Sequence, residues 1–107
     1  MIDINEWQNI EDTIRKREGV DPLVVWGLGI AEEAGEVAGK INKYFRGDYT
    51  EDQTKEMILL ELGDVAWYLA RIARRFGLTF EEVLLANTAK LEARKKAGTL
   101  RGSGDLR

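Results

Sequence analysis

Apolar side chains recur every three to four residues through four stretches of the chain, and each stretch opens on a helix-starting residue and closes on glycine. The first opens at Asp3 with Glu6 three residues on, carries Trp7, Ile10 and Ile14 at helical spacing, and meets Gly19. Asp21 and Pro22 open the second, as N-cap and first helical residue, and it is predicted to run from about Pro22 to Arg46 before Gly47. Thr50 and Gln53 form a capping-box pair ahead of the third, which is predicted to reach Phe76 and stop at Gly77. Thr79 and Glu82 repeat that pair before the fourth, which ends near Ala97 and Gly98. No stretch alternates cleanly with β-branched residues, as a strand would. The pattern predicts an all-α, four-helix bundle-like protomer, a single domain over 1–107 with 99–107 as a loop-like tail.

The polar residues that break this pattern are acidic. At roughly 100° per residue, Met57, Leu60, Val65, Tyr68 and Ile72 share one apolar arc on the third helix, and Glu61 and Asp64 fall inside it. On the second helix the arc runs from Trp26 through Ile30 and Val37 to Ile41 and Phe45. Glu33 lies at its edge, Glu36 just outside, and Glu32 further round toward solvent. A carboxylate on a core-facing stripe is costly unless it is paired or binds a metal. Glu33 with Glu36, and Glu61 with Asp64, are each three residues apart and so one turn apart on one side of a helix. Packed face to face, the two helices would bring four carboxylates together, and these repel unless a cation lies between them. Gly35 and Gly63 sit within the two acidic motifs, either for close helix packing or to leave room for a ligand.

Composition narrows the chemistry. The chain has 107 residues, a net charge of −3, no cysteine and no histidine. Overall acidity argues against a general nucleic-acid or membrane binder, although the last third is basic. Disulfides and thiolate sites are excluded, no apolar run approaches the ~18 residues of a membrane span, and no signal-peptide pattern is present, so a cytoplasmic protein is expected. Without histidine, any general base is a carboxylate, a lysine or metal-bound water. A di-iron site built on Glu-x-x-His pairs is disfavoured for the same reason. Oxygen-only ligands in this number suit Mg²⁺, or Mn²⁺ in its place, and Mg²⁺ so held completes its shell with water and substrate phosphate. The implied chemistry is hydrolysis at phosphorus. Trp7, Trp26, Tyr44, Phe45 and Trp67 are either core or candidates to stack on a base.

These residues resemble the MazG-like, all-α nucleoside triphosphate pyrophosphohydrolases, whose signature is Glu-Glu-x-x-Glu on one helix and Glu-x-x-Asp on the next. Glu32, Glu33 and Glu36 match the first part, and Glu61 and Asp64 the second. Val65 to Leu69 is similar to the family's apolar run after its Asp. The stretch from Asn87 through Lys90 to Arg94 resembles its Asn-x-x-Lys-Leu-x-x-Arg helix. The ending from Gly102 to Arg107 looks like the tail of small, often phage-encoded members.

The resemblance implies that Glu33, Glu36, Glu61 and Asp64 hold Mg²⁺. Glu32 and Glu33 would be the catalytic carboxylates, with Glu32 positioning or deprotonating the attacking water. Asn87, Lys90 and Arg94 would bind substrate phosphate. The reaction implied is cleavage of (d)NTP to (d)NMP and pyrophosphate, for nucleotide-pool house-cleaning or control of a signalling nucleotide, by a homodimer or homotetramer. Broad apolar arcs on the second and third helices also suggest packing across a subunit boundary. The alternative is a non-catalytic nucleotide-binding or helical interaction module. Nucleic-acid contact through Lys90, Arg94, Lys95, Lys96, Arg101 and Arg107 is disfavoured because that segment has no interleaved aromatic platform.

Overall fold

The computed structural model describes residues 1–10 and 18–98. Four helices follow one another: α1 (Ile4–Gln8), α2 (Pro22–Phe45), α3 (Glu51–Arg75) and α4 (Phe80–Lys96), with no strand among the described residues. The all-α class expected from the pattern is what the chain adopts.

Local chemistry accounts for the helix ends. Asp21 accepts from the Leu23 N–H ahead of Pro22. Thr50 Oγ1 accepts from Gln53 N–H at 3.1 Å while Gln53 Oε1 accepts from Thr50 N–H at 2.9 Å, closing both halves of the capping box. At Thr79 the hydroxyl half forms, with Glu82 N–H donating at 3.1 Å. Gly47 (φ +88°) and Gly77 (φ +73°) take the left-handed conformation that ends α2 and α3.

The first helix is shorter than its spacing predicts. It stops at Gln8, with Asn9 as cap, the Asn9 N–H donating to the Glu6 carbonyl, the Ile10 N–H to that of Trp7, and Asn9 Nδ2 to the Asn5 carbonyl. Such local bonds compete with helix continuation. Ile14, expected to extend the stripe, lies outside the described residues.

α2 and α3 form an antiparallel hairpin whose register can be followed along its length. Asp21 meets Arg75 through two hydrogen bonds of 2.8 and 2.9 Å, Gly29 meets Tyr68, and Glu33 meets Glu61 and Asp64. α4 packs on α3 and α1 but makes no comparable contact with α2. Small residues carry the deepest layer: Gly29, Ala70 and Ala73 are buried. With α2 covering one flank of α3 only, the apolar arcs are partly open. Leu60, expected in the core-facing arc, is 71% exposed, and Phe45, placed on the arc of α2, is 81% exposed. No described helix is long and apolar enough to cross a membrane.

Candidate metal centre

Halfway along the hairpin, Glu33 of α2 and Glu61 and Asp64 of α3 each offer a carboxylate oxygen, all within 4.8 Å of one another. Spacing explains the local part: Glu61 and Asp64 are one turn apart on α3. Hairpin register supplies the rest, because Glu33 lies one turn beyond Gly29 and Asp64 one turn before Tyr68.

The electrostatics of this group are those of carboxyls held close together. Glu33 and Glu61 are half-buried, and each has an Oε2 atom shielded from solvent without a hydrogen-bond partner among the described residues. Burial first, then the charges of Glu36 and Asp64 and the adjoining Glu61 carboxyl, push the Glu33 carboxyl from 4.5 up to about 7. Glu36 is raised as well, first by sharing a hydrogen bond with Glu61 and then by its charge, while Lys40 pulls the other way. Four carboxyls thus feel one another. Hard oxygen donors, shielded oxygens without partners and mutual repulsion fit a small divalent cation such as Mg²⁺ or Mn²⁺.

Individual expectations fare differently. Asp64 joins the cluster, yet it is exposed, not enclosed in the apolar arc. Glu36 is also exposed but stands beside Glu61. Glu32 is exposed and outside the three-carboxylate group. Asn87 and Lys90 line an open groove of about 480 Å³ with Leu78, Glu82, Val83 and Ala86, to which the acidic cluster contributes nothing. Arg94 is half-buried one turn further along α4. Gly35 and Gly63 have open space where a Cβ would stand, so close packing among the described residues does not require them; of the described glycines, Gly29 alone meets a neighbour there.

The candidate aromatics are partly engaged. Trp67 packs edge-on against Tyr68 at 5.3 Å, and the Arg71 guanidinium lies 5.0 Å from the Trp67 ring centre. This pair sits one turn from Asp64 on α3. Trp7 packs edge-on against Phe80 at 6.1 Å, and Tyr44 tilts against Phe45 at 5.3 Å. Trp26 is half-buried.

Sequence reasoning passed over Gln8 and Arg71. Arg71 is 2% exposed and donates from Nη1 to the Ile10 carbonyl. Its signal was a cation one turn beyond Trp67 and Tyr68 on the stripe of α3. Gln8 left no comparable signal.

Comparison with known proteins decides the family. A family model, the MazG nucleotide pyrophosphohydrolase domain, matches residues 26–99, which include Glu32, Glu33, Glu36, Glu61 and Asp64. The chain belongs to this family. It is 36% identical over 93 residues to the Gene 37 protein of Mycobacterium phage L5, covering 84% of this chain and 81% of that protein. No solved structure matches it. Membership accords with the helical fold, and the acidic cluster accords with the divalent-metal dependence general to the family.

Proposed function

We infer that the protein is a Mg²⁺-dependent nucleotide pyrophosphohydrolase that cleaves (d)NTP to (d)NMP and pyrophosphate. The observation that carries this reading is the meeting of Glu33, Glu61 and Asp64 oxygens within 4.8 Å, two of these residues having a shielded oxygen without a partner. Glu33, Glu36, Glu61 and Asp64 would hold the ion, with Mn²⁺ as a substitute. When bound, Mg²⁺ neutralises phosphate charge and polarises the phosphoryl oxygens. The chain's residues do the remainder. Glu32 and Glu33 would be the catalytic carboxylates, with Glu32, in solvent on the adjacent position, positioning or deprotonating the attacking water. As the water oxygen bonds to phosphorus, the α–β anhydride bond breaks, and monophosphate and pyrophosphate depart. Asn87, Lys90 and Arg94 present donors and positive charge to phosphate oxygens from α4. Such a reaction suits clearance of unwanted nucleotides or removal of a signalling nucleotide.

The protein is further proposed to act as a homodimer or homotetramer. Leu59 and Leu60, each 71% exposed, and Phe45 leave apolar surface on the same hairpin that bears the acidic cluster.

Incubation with a panel of NTPs and dNTPs, with and without Mg²⁺, tests the activity. Equimolar monophosphate and pyrophosphate, formed only with a divalent cation, is the expected result. Orthophosphate as the sole phosphate product, or no product from any nucleotide, refutes it.

A further inference from the structure

Gln8 is 4% exposed, and its amide joins three separate segments. Nε2 donates to the Ala70 carbonyl of α3 at 3.3 Å and to the Leu78 carbonyl of the α3–α4 turn at 2.8 Å. Oε1 accepts from the Phe80 N–H, the first of α4, at 2.9 Å. A helix's first N–H groups have no partner within the helix, so Gln8 caps α4 from another part of the chain. Its neighbours reinforce the grip: Trp7 packs on Phe80, and Asn5 Nδ2 donates to Glu81 at 3.2 Å.

What this grip controls follows from where α4 is supported. α4 touches α3 and α1 and has no buried residue of its own. Asn87 and Lys90 lie seven and ten residues beyond Phe80, roughly 10 and 15 Å along the helix. With α2 absent from its side, a tilt of about 10° at Phe80 displaces Lys90 by roughly 2–3 Å on that rise per residue. Such a displacement takes a donor out of hydrogen-bond reach of a bound phosphate oxygen, which spans only about 2.7–3.2 Å.

We propose that Gln8 is a positioning residue: its buried amide sets the direction of α4 and thereby the place of Asn87 and Lys90 relative to the acidic cluster. The proposal rests on the phosphate-binding role inferred above for those two residues. It goes beyond that role by assigning the specificity of their placement to a side chain far from the reacting atoms.

Gln8→Met keeps the length of the side chain and removes all three hydrogen bonds. In the full chain with Mg²⁺, KM for the preferred nucleotide is expected to rise on the order of tenfold while kcat changes less than about twofold, the signature of lost binding contacts. In an Asn87→Ala, Lys90→Ala background the same substitution should shift KM by less than about twofold, because both groups it places are gone. Hydrogen exchange should show lost protection in the first turn of α4 and unchanged protection in α2. Should Gln8→Met fail to fold, Gln8→Glu, which keeps the acceptor for the Phe80 N–H but loses the donations to Ala70 and Leu78, takes its place in the KM measurements.

An equal KM effect with and without Asn87 and Lys90 overturns the proposal, as does unchanged protection in α4. An active wild type whose Gln8 variant keeps its KM removes this inference alone. A wild type that releases no pyrophosphate removes the functional reading and this inference with it.

Discussion

Replacing Gly29 by alanine probes the hairpin register on which the acidic cluster depends. A Cβ at Gly29 would stand 2.4 Å from Tyr68 Cζ, 2.5 Å from Cε1 and 2.9 Å from the hydroxyl oxygen. Carbon atoms are comfortable at roughly 3.5–4 Å, so the ring must retreat by about 1 Å. Its retreat is constrained by the edge-on packing with Trp67. Overpacking of this kind costs about 1–3 kcal/mol, against a gain of about 1 kcal/mol from replacing glycine within a helix. The net expectation is a loss of up to ~2 kcal/mol.

Gly35→Ala and Gly63→Ala serve as controls, since nothing lies within 4 Å of either new Cβ. Each should gain about 1 kcal/mol. Urea denaturation of the metal-free proteins should therefore separate Gly29→Ala from the controls by about 1–3 kcal/mol, or at least several degrees in Tm. Tyr68→Leu, which draws the side chain back from Gly29, should largely erase the difference in a double-mutant cycle. If Gly29→Ala instead stabilises as much as Gly63→Ala, Tyr68 does not pack on Gly29. The register that carries Glu33 to Asp64 would then be wrong.

Other consequences can be measured directly. Glu36→Gln and Asp64→Asn are expected to abolish nucleotide turnover while circular dichroism shows the helices intact; full activity in either would refute the assigned ligands. Because Glu33 is raised from 4.5 to about 7, Mg²⁺ must displace its proton at lower pH. Calorimetry should accordingly show affinity rising with pH up to about 7 and flattening above, with proton release only below that point. The same shift has a sign for stability without metal. Folded protein takes up a proton that the unfolded chain releases, so this group's contribution is full below 4.5 and is lost as pH rises through about 7. Glu33→Gln should flatten that part of the pH–stability curve. Leu60→Asp should convert an oligomer to monomers in sedimentation while changing monomer stability by no more than ~0.5 kcal/mol.

Much of the architecture is legible without coordinates, because helix ends are decided by near neighbours. Thr50 and Gln53 are three residues apart, Asp21 adjoins Pro22, and Gly47 and Gly77 stop their helices where the pattern predicts. The pairing of Glu33 with Glu36 and of Glu61 with Asp64 on single helix faces is equally local, and it suffices to point to a hard cation. Periodicity misjudged exposure, since an apolar arc says which residues prefer cover and not how much cover one neighbouring helix provides. Leu60 is exposed for that reason.

Tertiary structure alone decided three matters. It brought oxygens from α2 and α3 within 4.8 Å, through a register set by a missing side chain at Gly29. It placed Asn87 and Lys90 in a groove apart from the carboxylates. It also turned Gln8 into a clamp between backbone groups 62 to 72 residues away. Spacing along a chain encodes which groups share a helix face, whereas these three results depend on how far two separate helices slide and tilt against each other.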